Sequence, residues 1–374
     1  MKVLHVYRTY FPDPPGGLQE AIRQICISTQ PMGVENTIFT LSPTPSPQVV
    51  DRPEARVVRC RSWAAPASCD LGSLDALLTF RQLAHQADVI HYLFPWPFAD
   101  VLRLAAPANK PSVMTYISDI VRQRWLGAVY GPLMWHTLRQ MDAIVSNAPG
   151  YAADSPVLSN PALQPLVRQI PLGIDESSYA TEPDIGILDK IGLRPDEPFV
   201  LFIGVLRYYK GLHVLLDACA DVKGRMVIAG SGPEEQALKD QIAHLGLNNV
   251  LMAGQVAEAE KVALLQACRG LVLPSHLRSE AYGMVLVEAS MMAKPMVTCE
   301  IGTGTSFVNA HGETGWVVPP ESPAALADAL NHLLTDTALA QRYGRAARQR
   351  YQSLFSGDAL GRAYARLYQD VLDA

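Results

Sequence analysis

The chain has six cysteines and no CxxC pair, so neither a zinc ribbon nor a dithiol redox centre finds its ligands at the needed spacing. Cys26, Cys60, Cys69, Cys219, Cys268 and Cys299 are scattered, the pattern expected of reduced, buried thiols in a cytoplasm. No run approaches the roughly 20 consecutive apolar residues that span a bilayer. The strand-like segment VLHVY follows Lys2 directly, with no charged and apolar leader before it. A membrane would therefore be met from one side only. Positive charge is also short, since 31 Lys and Arg stand against 36 Asp and Glu, which argues against broad nucleic-acid binding. Residues 1–180 hold 14 basic and 14 acidic side chains, which leaves the second half acidic. There is no internal repeat, and the one low-complexity tract is PTPSPQ.

What is present suits a large globular protein. Its 374 residues allow two domains with full cores, and 49% hydrophobic against 18% charged residues excludes a disordered chain. Strand patterns recur at VLHVY, NTIFTL, RVVRC, VIHYL, SVMTY and AIVSN, with helical patterns between several of them. After IPLGID comes a polar, Pro-containing stretch to about Pro198; then FVLFIG, RMVIAG, VLMAG, GLVLPS, PMVTC and GWVVP repeat the alternation. Such alternation predicts parallel sheets flanked by helices. The expected fold class is α/β, with Rossmann-like domains over 1–180 and 181–355 facing each other across a cleft. ALGRAYARLYQDVLDA has helical periodicity, and a final helix over 356–374 is expected to cross back to the first domain.

The densest chemistry lies in PSHLRSEAYGMVLVEA, where Glu280 and Glu288 bracket seven residues. GLVLPS reads as a strand and MVLVEASMMA as a helix, so Glu280 falls in the loop and Glu288 just over a turn into the helix. The N–H groups near Gly283, Met284 and Val285 would be free to bind an anion, most naturally phosphate. The competing reading makes Glu280 an ordinary helix N-terminal carboxylate and Glu288 a solvated helix residue. FVLFIGVLRYYKGLHVLLDA places Gly204, Arg207 and Lys210 on a second strand-to-helix turn. There the planar Arg fork and the Lys point charge suit a diphosphate, or else form a solvated loop pair. Gly230 and Gly232 mark a third such turn, which would let a backbone approach a nucleotide closely. In TYFPDPPGGLQEAIRQI, Pro14 and Pro15 stiffen a loop, and Gly16 and Gly17 open a helix whose N-terminus would face the diphosphate, or simply permit a surface turn. His91, at the end of the strand in VIHYLFPWPF, is a candidate to touch the acceptor or a hydrogen-bonded structural histidine.

Taken in order, the Gly16-Gly17 loop, the Arg207 and Lys210 turn, GSGP, the Glu280 and Glu288 pair, and GTGTSFVN followed by HGETGWVVPP resemble a family-4 retaining glycosyltransferase of the GT-B type over essentially the whole chain. VYRTYFPD and CEIGTGTSFVNAHGETGWVVPP resemble bacterial mannosyl- and rhamnosyltransferases that assemble O-antigen from GDP-sugars. The resemblance implies a nucleotide-sugar donor, GDP-linked on the narrower match, and a lipid-linked saccharide acceptor received by the first domain. It implies retention at the anomeric carbon, with no protein nucleophile apparent. Arg207, Lys210 and helix N–H groups would stabilise the departing diphosphate, Glu280 would orient the sugar and Glu288 would hold the ribose. No Asp-x-Asp triplet occurs, so no metal and no other cofactor is expected.

One position departs from the family pattern. In TYISDI, Ile117 stands where relatives carry a histidine beside the transferred sugar, so the chain is expected to be weakened, altered in donor choice, or reliant on Ser118 and Asp119. From Ile120 to Met141 the chain has Arg122, Arg124 and Arg139 with Trp125, Tyr130 and Trp135 and no acid. That mix suits the cytoplasmic face of an anionic inner membrane or, equally, core-facing aromatics interrupted by Gly127, Gly131 and Pro132. Three rivals stay open: a glycoside hydrolase using both carboxylates, a sugar-nucleotide epimerase of the same architecture, and a non-catalytic nucleotide-sugar binding protein.

Overall fold

The computed structural model describes residues 1–13, 16–64, 70–117, 124–194 and 196–374, with backbone alone over 124–129. The chain divides into two compact units, Met1–Asp175 with Gly357–Ala374, and Glu176–Ser356. In chain order the strands are β1 Lys2–Val6, β2 Glu35–Ser42, β3 Val49–Asp51, β4 Arg56–Ala64, β5 Leu71–Gly72, β6 Val89–Phe94, β7 Ser112–Tyr116, β8 Ala143–Ser146 and β9 Val167–Gln169 in the first unit. The second unit holds β10 Phe199–Ile203, β11 Arg225–Ala229, β12 Val250–Gly254, β13 Gly270–Leu273, β14 Met296–Cys299 and β15 Gly315–Val318. Each strand expected from alternation in the sequence is present, and the α/β class holds.

The first sheet runs β3-β4-β2-β1-β6-β7-β8-β9, parallel except where β3 and β5 pair with β4. Its central strands are buried on both faces, which is why VIHYLF and SVMTY read as continuous apolar runs. The final helix, Gly357–Leu372, belongs to this unit. Its Leu360, Tyr364 and Tyr368 pack with Val3, Ile25, Val89, Val113 and Val145. Gly361 permits the approach, because a Cβ there would lie 2.0 Å from the Ser28 carbonyl oxygen.

Polar anchors fix the same helix. Tyr364 Oη lies 2.8 Å from Thr115 Oγ1, and Tyr368 Oη 2.8 Å from His91 Nδ1. His91 Nε2 meets Thr115 Oγ1 at 2.7 Å, and the neighbouring His5 bonds Asn36 at 3.0 Å. Burial pushes the His5 imidazole down to about 4 against the opposing Asn36 bond, and holds His91 well below the usual range, with His5 adding to the effect. The unfolded chain therefore binds protons that the folded unit refuses. The stability is present above the ordinary imidazole pKa and is lost as pH falls from there toward the folded value. For His5 alone the loss is about 2 kcal/mol by about pH 5. A urea midpoint should fall correspondingly between neutral pH and about pH 5, and a level midpoint would contradict this account.

The second sheet runs β12-β11-β10-β13-β14-β15, parallel throughout. β10, β11 and β12 build outward in one direction, then the chain returns to lay β13, β14 and β15 on the other side. The order therefore reverses between β10 and β13.

Candidate functional site

Where strand order reverses, the turns leaving the two adjacent strands diverge and open a crevice at their carboxyl ends, the place where parallel α/β sheets bind ligands. In the second unit those turns are 204–211 after β10 and 274–283 after β13. They are the two segments whose residue types suggested phosphate chemistry.

Backbone contacts join the two turns. The His276 N–H donates to the Tyr209 carbonyl at 3.1 Å, and a Cβ on Gly211, whose φ is +70°, would sit 2.1 Å from the Pro274 carbonyl oxygen. The Tyr208 ring stacks on His213 at 5.0 Å, and both meet His276 edge-on. Short 3-10 turn Tyr208–Lys210 then aims Lys210 at the second loop. There its ammonium pairs with Glu280, 70 residues away in sequence, while Ser275 Oγ donates to the same Glu280 Oε2 at 3.3 Å. Arg207, at the start of that 3-10 turn, stands exposed. Gly283, at φ +81°, ends the second loop and starts the eight-residue helix Met284–Met291. The first N–H groups of that helix, those of Met284 and Val285, have no acceptor within it. A cation, a carboxylate and helix N–H groups are thus gathered at one strand reversal, with the exposed Arg207 on the same turn as Lys210.

Glu288 lies one turn further along this helix and is buried. Its Oε1 accepts from the Tyr179 hydroxyl and lies 3.4 Å from Lys261 Nζ. Lys261 also lies 3.2 Å from the Tyr179 hydroxyl, pairs with Glu258 at 2.9 Å and sits 4.6 Å above the Tyr179 ring. Burial raises the Glu288 carboxyl pKa, opposed by Lys261 and Tyr179. Burial also works against the Lys261 ammonium, but Glu288 and Glu258 outweigh it and raise its pKa. A solvated Glu288 is therefore not what the fold contains. Sequence reasoning missed Lys261 and Tyr179; the only local signal was Glu258 three residues before Lys261, which reads as a routine surface pair.

The third turn has a different use. A Cβ on Gly230, at φ +135°, would lie 2.0 Å from the Gly204 carbonyl oxygen, and one on Gly232 would lie 2.4 Å from that of Leu206. The backbone these glycines admit is the chain's own, which packs the turn after β11 onto the turn after β10. Just before HGETG, Asn309 binds Thr298, Trp316 and Thr314 through its side chain. A Cβ on Gly315 would meet the Met296 carbonyl oxygen at 1.8 Å, so this motif too closes the fold.

In the first unit, Gly16 is the extended N-cap of helix Gly17–Thr29, and open space surrounds Gly17. Asp13, just before this loop, is held by buried Arg59 at 3.2 Å and by Ser42 at 3.1 Å. Pro14 and Pro15 lie outside the described residues. Of the two readings of His91 the acceptor contact is corrected, and so is its place at the strand end: it is the third residue of β6, fully buried, with both ring nitrogens engaged by Thr115 and Tyr368. The final helix covers it, so it is a structural histidine and no acceptor reaches it. Ile117 follows β7, half-buried, with its N–H on the Phe94 carbonyl at 3.2 Å. Ser118, Asp119 and Arg122 lie outside the described residues. Helix Arg124–Arg139 runs through Pro132 without a break, with Tyr130 bonded to Asp100 and Arg139 stacked over Trp135 at 5.7 Å.

A cavity of the second unit, about 770 Å³, lies at the opposite end of its sheet. It is bordered by Phe199, Arg269 and Pro295, at or beside the amino ends of β10, β13 and β14, and by Arg194 and Lys294. Volume does not decide between the two ends; the crevice chemistry and the strand reversal do. Among the described residues no group of three or more His, Cys, Asp or Glu could hold a metal ion, and no helix is long and apolar enough to cross a membrane.

Comparison with known proteins identifies the family and the fold. Residues 186–350 match the family described as Glycosyl transferases group 1, and residues 16–167 match the Glycosyl transferase 4-like domain. The chain is 45% identical to D-rhamnosyltransferase WbpZ of Pseudomonas aeruginosa over 95% of its length and 92% of that protein. It is 38% identical to O-antigen chain mannosyltransferase C of Escherichia coli over the full length of both. Among solved structures, Anabaena HepE in complex with UDP superposes with a TM-score of 0.80 at 21% identity, covering 99% of this chain and 100% of that one.

Proposed function

The chain belongs to the glycosyl transferases of group 1, and on that premise we propose that it is a retaining hexosyltransferase that moves mannose or D-rhamnose from a GDP-sugar to a polyprenyl-diphosphate-linked saccharide in O-antigen assembly. The observation that carries the site is the Lys210–Glu280 pair beside the N-terminus of helix Met284–Met291, at the strand reversal.

In the proposed reaction the bond between the anomeric carbon and the β-phosphate oxygen breaks, and negative charge develops on the diphosphate. In this reading Lys210, Arg207 and the N–H groups of Gly283, Met284 and Val285 stabilise that charge at the moment it forms. The acceptor hydroxyl attacks on the face the diphosphate leaves, and its proton passes to a departing phosphate oxygen. Glu280 orients the sugar hydroxyls and Glu288 the ribose. These cations and N–H groups supply the counter-charge, so transfer is expected to proceed in the presence of a chelator. A hydrolase would have no use for Arg207 and Lys210 on a diphosphate turn.

The test is transfer from GDP-mannose, GDP-rhamnose and UDP-sugars to a GlcNAc-diphospholipid, presented in anionic vesicles and in detergent. Transfer from a GDP-sugar, faster on vesicles, is expected. Transfer from UDP-sugars alone would overturn the donor reading, and equal rates in both presentations would argue against peripheral contact with a membrane. Ile117 is the one feature favouring a non-catalytic binding protein. If the missing imidazole limits the reaction, Ile117→His raises turnover; unchanged or lower turnover with intact folding would remove that idea.

A further inference from the structure

Glu288 offers its two carboxylate oxygens to different surroundings. Oε1 is engaged from two elements: by Tyr179, on the 3-10 turn Glu176–Tyr179, and by Lys261, on helix Glu258–Ala267. Lys261 is itself held in place by the Tyr179 hydroxyl at 3.2 Å, the Tyr179 ring at 4.6 Å and Glu258 at 2.9 Å. Oε2 takes no part in these contacts. An acceptor oxygen fixed in direction by its saturated twin is suited to a pair of ligand hydroxyls, which need a carboxylate that stays ionised and does not rotate.

We propose that Lys261 and Tyr179 are positioning residues for the donor: they hold Glu288 as a carboxylate with Oε1 occupied, so that Oε2 is presented to the hydroxyl groups of the bound nucleotide. This rests on the reading of Glu288 as a donor ligand. The titratable groups that face Glu288 are Tyr179, Lys261 and, across Lys261, Glu258. Lys261 counters the burial that favours the protonated acid, and the negative charge of Glu258 acts in the same direction as burial. Tyr179 belongs to the first turn of the second unit, which ties the start of that unit to the donor site.

The experiment uses the full chain and two readouts. Infrared difference spectra between wild type and Glu288→Gln isolate the Glu288 carboxyl without any ligand. The band should be that of a carboxylate at neutral pH, and in Lys261→Met that of the protonated acid, with Tyr179→Phe between them. GDP affinity by calorimetry should fall about tenfold to a hundredfold in Lys261→Met, and less in Tyr179→Phe. The loss in Lys261→Met should shrink as pH rises, and that pH dependence should vanish when Glu288→Gln is added. A merely structural role for Lys261 would lower stability without moving the band. An unshifted band in folded Lys261→Met would overturn the proposal. A shifted band with unchanged GDP affinity would instead overturn Glu288 as a donor ligand.

Discussion

Lys210→Met should lower transfer by about a hundredfold to a thousandfold, because it removes a charge aimed where the departing diphosphate becomes negative. The ammonium is already in place before any ligand arrives, held by Glu280 and flanked by Ser275. Preorganised charge of this kind costs no rearrangement during the reaction. The substitution also leaves Glu280 without its partner in a largely buried site, a loss of up to about 3 kcal/mol in stability. The two effects separate in Lys210→Met with Glu280→Gln, which removes the orphaned charge. The double variant should regain stability and remain inactive. Transfer returning with stability would mean that Lys210 serves only the fold.

Gly230→Ala should destabilise the protein by about 3 kcal/mol or more, against a total stability on the order of 5–15 kcal/mol. The residue has φ +135°, a conformation alanine avoids, and the added Cβ would lie 2.0 Å from the Gly204 carbonyl oxygen. That oxygen cannot retreat, since Gly204 and Gly230 are both tied to neighbouring strands by hydrogen bonds of 3.0 Å to Ala229 and 2.7 Å to Gly254. Gly17→Ala, where a Cβ meets nothing within 4 Å, should change stability by no more than about 1 kcal/mol. Urea midpoints of both variants decide it. If Gly230→Ala keeps wild-type stability and loses only nucleotide affinity, the glycine makes room for a ligand and not for the chain.

These glycines illustrate how far the sequence could be read. A glycine pair after a strand says that something approaches the backbone closely; it does not say what. The strands were legible because buried parallel strands leave unbroken apolar runs, as in FVLFI and RMVIA. Lys210 and Glu280 were each legible on a phosphate-like turn, but their meeting was not; the β10–β13 reversal supplies the reason the two turns converge. His91 stayed open between two readings because its partner Tyr368 lies 277 residues later, and nothing in VIHYLF announces that a helix will cover it. Lys261 and Tyr179 escaped for the same reason: their purpose appears only when residues 179, 261 and 288 are brought together.

The measurement that tests the account most directly is the structure of this chain with GDP bound. The account predicts the diphosphate at the carboxyl ends of β10 and β13, within hydrogen-bonding distance of Lys210 and the first N–H groups of helix Met284–Met291, with the ribose on Glu288. GDP in the cavity at the amino ends of those strands, beside Arg194, Arg269 and Lys294, with Lys210 still paired to Glu280, would contradict it.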